Sequence, residues 1–187
     1  RTGAVAGTIN MALSDRVWLS DNLAFISAPS SLGATTHNLY AIDLNSLTKV
    51  LIDESVSAVS RVGGNLQYIT KSESGVVRNI LDMETLGIEK QLLVDTGNGV
   101  SSPNYYMAFC IDGTGKVVLL KEAGSGRDTF SGVVVYKSDN SLQKQISCPV
   151  GFTGNGYDID ISYTLDENGV CNHVMVWTED STGTNTH

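Results

Sequence analysis

The pattern Asn-Leu-x-aromatic-Ile-Ser/Thr occupies residues 22–27 and returns at residues 65–70, a shift of 43 positions. A chain that repeats at such a period is built from copies of one supersecondary unit, and each copy needs a neighbour to bury its apolar face. Two further matches fall in step with the first. The stretches NLYAIDLNSLTKVLIDES, VVRNILDMETLGIEKQLLVDTG and GVVVYKSDNSLQKQISCP each read as a strand, a polar turn ending in Leu47, Leu86 or Leu142, and a second strand, with shifts of 39 and 56. The stretches YYMAFCIDGTGKVVLLKEA and DIDISYTLDENGVCNHVMVWTED each read as a strand, an Asp-x-x-Gly turn and a strand, the Asp112/Gly115 turn returning as Asp166/Gly169 after 54 residues.

Laid end to end, these matches define a four-stranded unit, lettered A to D along the chain. Repeats are expected at about 15–53, 54–95, 96–149 and 150–187, with 1–14 contributing a strand to another unit. The strands are rich in Val, Ile, Leu and Tyr, and the turns carry Gly, Asn, Asp and Ser, which tolerate positive φ or hydrogen-bond their own backbone. Residues 80–93 could be read as a helix, but Gly87 interrupts them and their alignment with two hairpins makes them strands. Four strands per unit, no helix and this period predict an all-β chain, a β-propeller built from four-stranded antiparallel blades with about three and a half blades present. A β-sandwich is the alternative. The runs VVLL and VMVW favour the propeller, because a blade covered on both faces loses the apolar/polar alternation of a half-buried strand. The last unit stops at the point where strand C follows in the first, so the chain is expected to be one propeller domain or a fragment of a larger one.

Residues 22–43 combine an apolar strand, an Ala28-Pro29 turn, a Gly-, Ser- and Asn-rich loop, and an apolar strand ending in an aromatic. Residues 132–136 add a Gly-x-Val-Val-Tyr step. These segments resemble the FG-GAP repeats of integrin-α-like β-propellers. Ser27 stands where that family has Gly, the second repeat lacks the Ala-Pro pair, and no hairpin carries the family's Asp-x-Asp-x-Asp-Gly calcium loop. The resemblance therefore implies propeller blades without the usual metal. Calcium needs six to eight oxygens from several carboxylates or amides, and Asp166, Glu167 and Asn168 are the weak candidates for it; otherwise no cofactor is expected.

Twenty acidic against 12 basic residues give a formal net charge of −8. That disfavours nucleic acid, whose phosphates call for clustered Lys and Arg, and anionic membrane surfaces alike. No apolar run approaches the roughly 20 residues that span a bilayer, and residues 1–15 lack a basic-then-apolar leader layout. Cys110, Cys148 and Cys171 sit in apolar runs, form no Cys-x-x-Cys pair and read as buried thiols. Polarity comes instead from 20 Ser, 16 Thr and 13 Asn, none of the Asn residues lying in a glycosylation sequon.

Catalytic constellations are sparse. Five arginines at 1, 16, 61, 78 and 127 fall short of a carboxylate-gripping cluster, and His37 and His173 have no nucleophile elbow or zinc helix near them. Asp158 and Asp160 alternate along a strand and read as a solvated face rather than an acid/base pair. The D-to-A loops TGNGVSSPNYY and CPVGFTGNGY instead place Asn104, Tyr105, Tyr106, Phe152, Asn155 and Tyr157 among flexible glycines. Flat aromatic faces beside amides suit a sugar or a protein surface. The chain is therefore expected to be a non-enzymatic binding or adhesion module of an extracellular, cell-surface or virion-surface protein. Its partner would be a protein or carbohydrate met on the face shared by the D-to-A and B-to-C loops. A structural component of a phage tail, fibre or surface appendage, with oligomerisation possible, is the first alternative, and a two-carboxylate glycoside hydrolase is the second.

Overall fold

The computed structural model describes residues 16–31, 34, 36–95, 106–122, 130–147, 159–179 and 185–186. Among them there is no helix. The first sheet pairs β1 (Val17–Ser20), β2 (Leu23–Pro29), β3 (His37–Asp43) and the first half of β4 (Lys49–Val62). The second pairs the remainder of β4 with β5 (Asn65–Ser72), β6 (Gly75–Asp82) and β7 (Ile88–Asp95). The third comprises β8 (Tyr106–Ile111), β9 (Val117–Glu122), β10 (Phe130–Tyr136) and β11 (Leu142–Ser147). A fourth holds β12 (Ile159–Leu165), β13 (Cys171–Glu179) and β14 (Asn185–Thr186). Every pairing is antiparallel between neighbours in sequence, so the chain is a succession of meanders, with the first two joined through β4 into one seven-stranded sheet.

β4 bends sharply. His37 pairs with Val56 on one side, and Ser57 with Ile69 on the other. Between and beside these pairs, Ser55 and Ala58 adopt φ of 53° and 51°. Left-handed backbone at non-glycine residues costs roughly 1–3 kcal/mol each and persists only where surrounding contacts enforce it. Here the bend sends the two halves of β4 back towards the same end of the structure. Arg61, near the end of the second half, donates from Nη1 to the Leu19 carbonyl at 3.2 Å, tying β4 to β1. The unit boundary expected at 53/54 lies at the start of this bend.

Three cores separate the sheets. Phe25, Leu39 and Ala41 of the first sheet meet Leu66, Tyr68 and Leu81 of the second, with Val56 from the bend among them. Ile69, Val76 and Leu93 of the second meet Ile111, Val117, Leu119 and Val134 of the third. Cys110 and Val118 of the third meet Cys171 of the fourth, with Val133 and Val135 packed alongside. β9 explains the continuous apolar run: Val117, Val118, Leu119 and Leu120 are all at most 1% exposed. Val117 and Leu119 face the second sheet while Val118 faces the fourth, so a period-2 strand buried on both faces reads as unbroken hydrophobic sequence.

The turns at one end share a construction. In the Asp112 and Asp166 turns, the N–H of Gly115 or Gly169 donates to the Asp carbonyl at 2.9 Å, and both glycines carry positive φ, 82° and 75°. Lys137 to Ser141 closes in the same way, with Asn140 in the left-handed position at φ 65°. The turns after Asp43 and Asp82 are one residue longer and put Leu47 and Leu86 at φ 57° and 60°. Aligning Leu142 with those leucines is therefore out of step: Leu142 opens β11, and Asn140 takes the left-handed role. Asn accepts that conformation more readily than Leu because its short amide can hydrogen-bond locally.

Candidate functional site

The two ends of the meanders differ in kind. At one end the chain crosses between strands in short turns: 21–22, 44–48, 63–64, 83–87, 112–116, 137–141 and 166–170. At the other lie 30–36, 73–74, 96–105, 123–129, 148–158 and 180–184, besides the β4 bend. Most of the residues in these longer connections lie outside the described ones. Two connections there are shorter than the sequence suggests. The first D-to-A link is the bend in β4, and the second B-to-C link is a two-residue turn.

At the short-turn end, carboxylates are committed to their own backbone. Asp43 Oδ1 accepts from the N–H groups of Asn45 and Ser46, and Asp82 Oδ1 from those of Glu84 and Thr85. Asp139 Oδ1 accepts from Ser141 N–H and Oγ–H, and Asp166 Oδ1 from Asn168 and Val170 N–H at 2.9 Å. Hydrogen bonds to the charged form hold all four carboxyls below their ordinary range.

Asp112 goes further. Its Oδ1 accepts from Thr114 N–H, Thr114 Oγ1–H and Lys116 N–H, while Oδ2 accepts from the backbone N–H of Cys171 in the fourth sheet at 3.0 Å. The Gly113 N–H donates to the Gly169 carbonyl at 2.8 Å, so the two matching turns interlock. A side chain only 1% exposed should resist ionisation. Burial does push its carboxyl upward, but the bonds from Thr114, Cys171 and Lys116 outweigh it and the net direction is down. Lys116 Nζ, 4.0 Å from Oδ2, adds a distant counter-charge.

A second clamp joins the second and third sheets. Arg78 on β6 is fully buried and donates from Nη1 to the Ser138 carbonyl at 2.7 Å and from Nη2 to the Lys137 carbonyl at 3.0 Å. Burial lowers its pKa and the Asp139 charge opposes that. Asn140 of the same turn donates to Gln91 of β7. A third polar link joins the first two sheets: buried Tyr68 donates its hydroxyl to Asp53 Oδ2 at 3.0 Å, and burial, then the Asp53 charge, raises the phenol far above its usual value.

Of the residues expected to bind a ligand, Asn104, Tyr105, Phe152, Asn155 and Tyr157 lie outside the described residues. Tyr106 begins β8, with its backbone paired to Lys121. Asp158 also lies outside, and Asp160 pairs with Trp177 across β12 and β13. His37 is half-buried at the start of β3, and His173 is exposed, its Nδ1 lying 3.3 Å from Thr164 Oγ1. For the calcium candidates, Glu167 and Asn168 are exposed while Asp166 Oδ1 is held by its turn. Among the described residues no group of three or more His, Cys, Asp or Glu is placed to hold a metal ion. No protein-family model and no curated protein matches the chain. Among the described residues no helix is long and apolar enough to cross a membrane.

In sequence Asp112 stands only as one of two matched turn residues, Arg78 as one of five scattered arginines, and Tyr68 as a strand aromatic. Their signals were present. Arg78 interrupts the apolar stretch VVRNIL, where an unpaired charge would be costly, and Cys171 stands two residues after Gly169 of the second Asp-x-x-Gly turn, so matched turns on adjacent sheets bring it towards Asp112.

Proposed function

We propose that the chain is a β-propeller binding module, without catalytic activity, that recognises a protein or glycan on a cell or virion surface through its long-loop end. The observation that carries this reading is the division of labour between the ends. One end is closed by short turns, five of which hold an Asp carboxylate that accepts N–H bonds from its own turn, so these groups are kept ionised and are poor proton donors. The strands leave the other end into longer stretches of sequence, and those stretches contain Asn104, Tyr105, Phe152, Asn155 and Tyr157.

Stacking supports a propeller over a two-layer sandwich. A sandwich buries one face of each sheet, whereas the second and third sheets here each bury both. Successive units also meet in the same orientation: β1 is tied to β4 through Arg61, β8 comes alongside β4, and the Asp112 turn meets the Asp166 turn. Rotation of one unit into the next about an axis near the first strands produces that pattern. Its likeness to FG-GAP blades belongs to the same reading.

The test is a glycan and surface-protein array probed with the labelled chain, set against a variant carrying Tyr105→Ala, Asn155→Ala and Tyr157→Ala together. Loss of signal with an unchanged melting temperature is the expected result. Binding that survives this variant but disappears with substitutions at the short-turn end would overturn the assignment of the face.

A further inference from the structure

Cys110 stands near the end of β8 and Cys171 begins β13, so the two thiols belong to different sheets and are separated by 61 positions in sequence. They pack together with Val118 as the core between the third and fourth sheets, and the Cys171 thiol also donates to the His173 carbonyl at 3.8 Å. Both are buried and neither is bonded covalently. The backbone around them is pinned twice, by Cys171 N–H on Asp112 Oδ2 and by Gly113 N–H on the Gly169 carbonyl. Two thiols held side by side on separate elements by independent hydrogen bonds form a site for a covalent cross-link.

We propose that Cys110 and Cys171 are an oxidisable pair which, given a disulfide oxidant such as oxidised glutathione, closes into a bond stapling the third sheet to the fourth. The thiolate of one cysteine attacks a sulfur of glutathione disulfide and expels one glutathione thiolate, leaving a mixed disulfide. The second cysteine, deprotonated in turn, attacks the protein sulfur of that mixed disulfide and expels the other glutathione. The protein loses two protons and two electrons, and glutathione disulfide is reduced to two thiols.

Timing follows from burial. In the folded chain burial, together with the neighbouring thiol, pushes Cys110 up to about 12, and burial raises Cys171 as well. Thiolate, the attacking species, is then scarce. The bond accordingly forms while the chain folds, when the sulfurs are still wet, and afterwards lies beyond the reach of soluble reductants.

The experiment refolds the full chain in a buffer of reduced and oxidised glutathione, blocks remaining thiols by alkylation, and maps peptides by mass spectrometry without reduction. The expected product links the Cys110 and Cys171 peptides and leaves Cys148 alkylated. Its melting temperature should exceed that of the reduced chain by on the order of 10 °C, as closing a loop of this size implies. A Cys148→Ser chain should behave identically, and a Cys110→Ser chain should lose the dependence of melting on reductant. Alkylation of both Cys110 and Cys171 after oxidative refolding, or a bond from either to Cys148, would overturn the proposal.

Discussion

Asp112 Oδ2 accepts the backbone N–H of Cys171 at 3.0 Å across the boundary between the third and fourth sheets, while Oδ1 of the same carboxylate closes its own turn. One side chain thus performs a local task and a tertiary one. Replacing it with Asn keeps an acceptor for the turn but sets an NH2 group against the Cys171 N–H. Asp112→Asn should therefore destabilise the chain by about 2 kcal/mol, the worth of a charge-assisted hydrogen bond plus an unsatisfied donor. Asp166→Asn, whose carboxylate accepts backbone N–H groups from its own turn and reaches no neighbouring sheet's backbone among the bonds described, should cost clearly less. Urea denaturation of the two variants measures the difference, and equal costs would mean that the bond to Cys171 contributes nothing.

Acid sensitivity follows from the same turns. The carboxyls of Asp43, Asp82, Asp112, Asp139 and Asp166 all titrate below their ordinary values in the folded chain. For such groups the unfolded state binds protons first as pH falls. The stability they contribute is fully present above the unfolded Asp value of about 4 and is lost as pH drops through the lower folded values. Urea midpoints should be insensitive to these carboxyls between about pH 5 and 7 and fall below about pH 4, with a shallower fall in Asp112→Asn. An acid decline of the same steepness in that variant would remove Asp112 from the account.

Arg78 spans two carbonyls of one turn in the third sheet, a geometry that a forked guanidinium meets and a single ammonium does not. Arg78→Ala should cost roughly 3 kcal/mol through lost charge-assisted bonds and unpartnered carbonyls. Arg78→Lys should recover only part of that. Thermal melts of the pair give the ranking, and full recovery by Lys would show that charge rather than the fork matters.

Tyr68→Phe removes the hydroxyl that satisfies Asp53 and leaves the ring in place. The expected loss is about 2 kcal/mol. Ultraviolet titration offers a second reading, because the Tyr68 phenol should stay protonated through alkaline pH at which exposed tyrosines ionise, its burial and the Asp53 charge both favouring the neutral form. Early ionisation of every tyrosine in the folded chain would contradict the burial of this one.

The spacing of strands was legible because it rests on local chemistry. Repeated Asn-Leu-x-aromatic-Ile segments, Asp-x-x-Gly turns and β-branched runs specify hairpins without reference to distant residues, and β5, β6, β9 and β12 fall where those signals stand. The two-faced burial of VVLL was legible too, since a strand with no polar alternation has no face to give to water. Turn register was less so. Leu142 shares its residue type with Leu47 and Leu86, but type does not reveal which backbone position is left-handed, and that depends on a turn one residue shorter.

Sequence by itself determined the all-strand character of this chain, its meander order and the position of its polar turns, since each follows from propensity and period within a few residues. Tertiary structure decided which turns touch, and with it the roles of Asp112, Arg78, Tyr68 and the Cys110 and Cys171 thiols. Those roles join residues from 15 to 61 positions apart and arise only when the sheets pack against one another. Where a polar side chain finds its partner across a core, the reason lies in the packing of the neighbouring sheet rather than in the residues beside it in the chain.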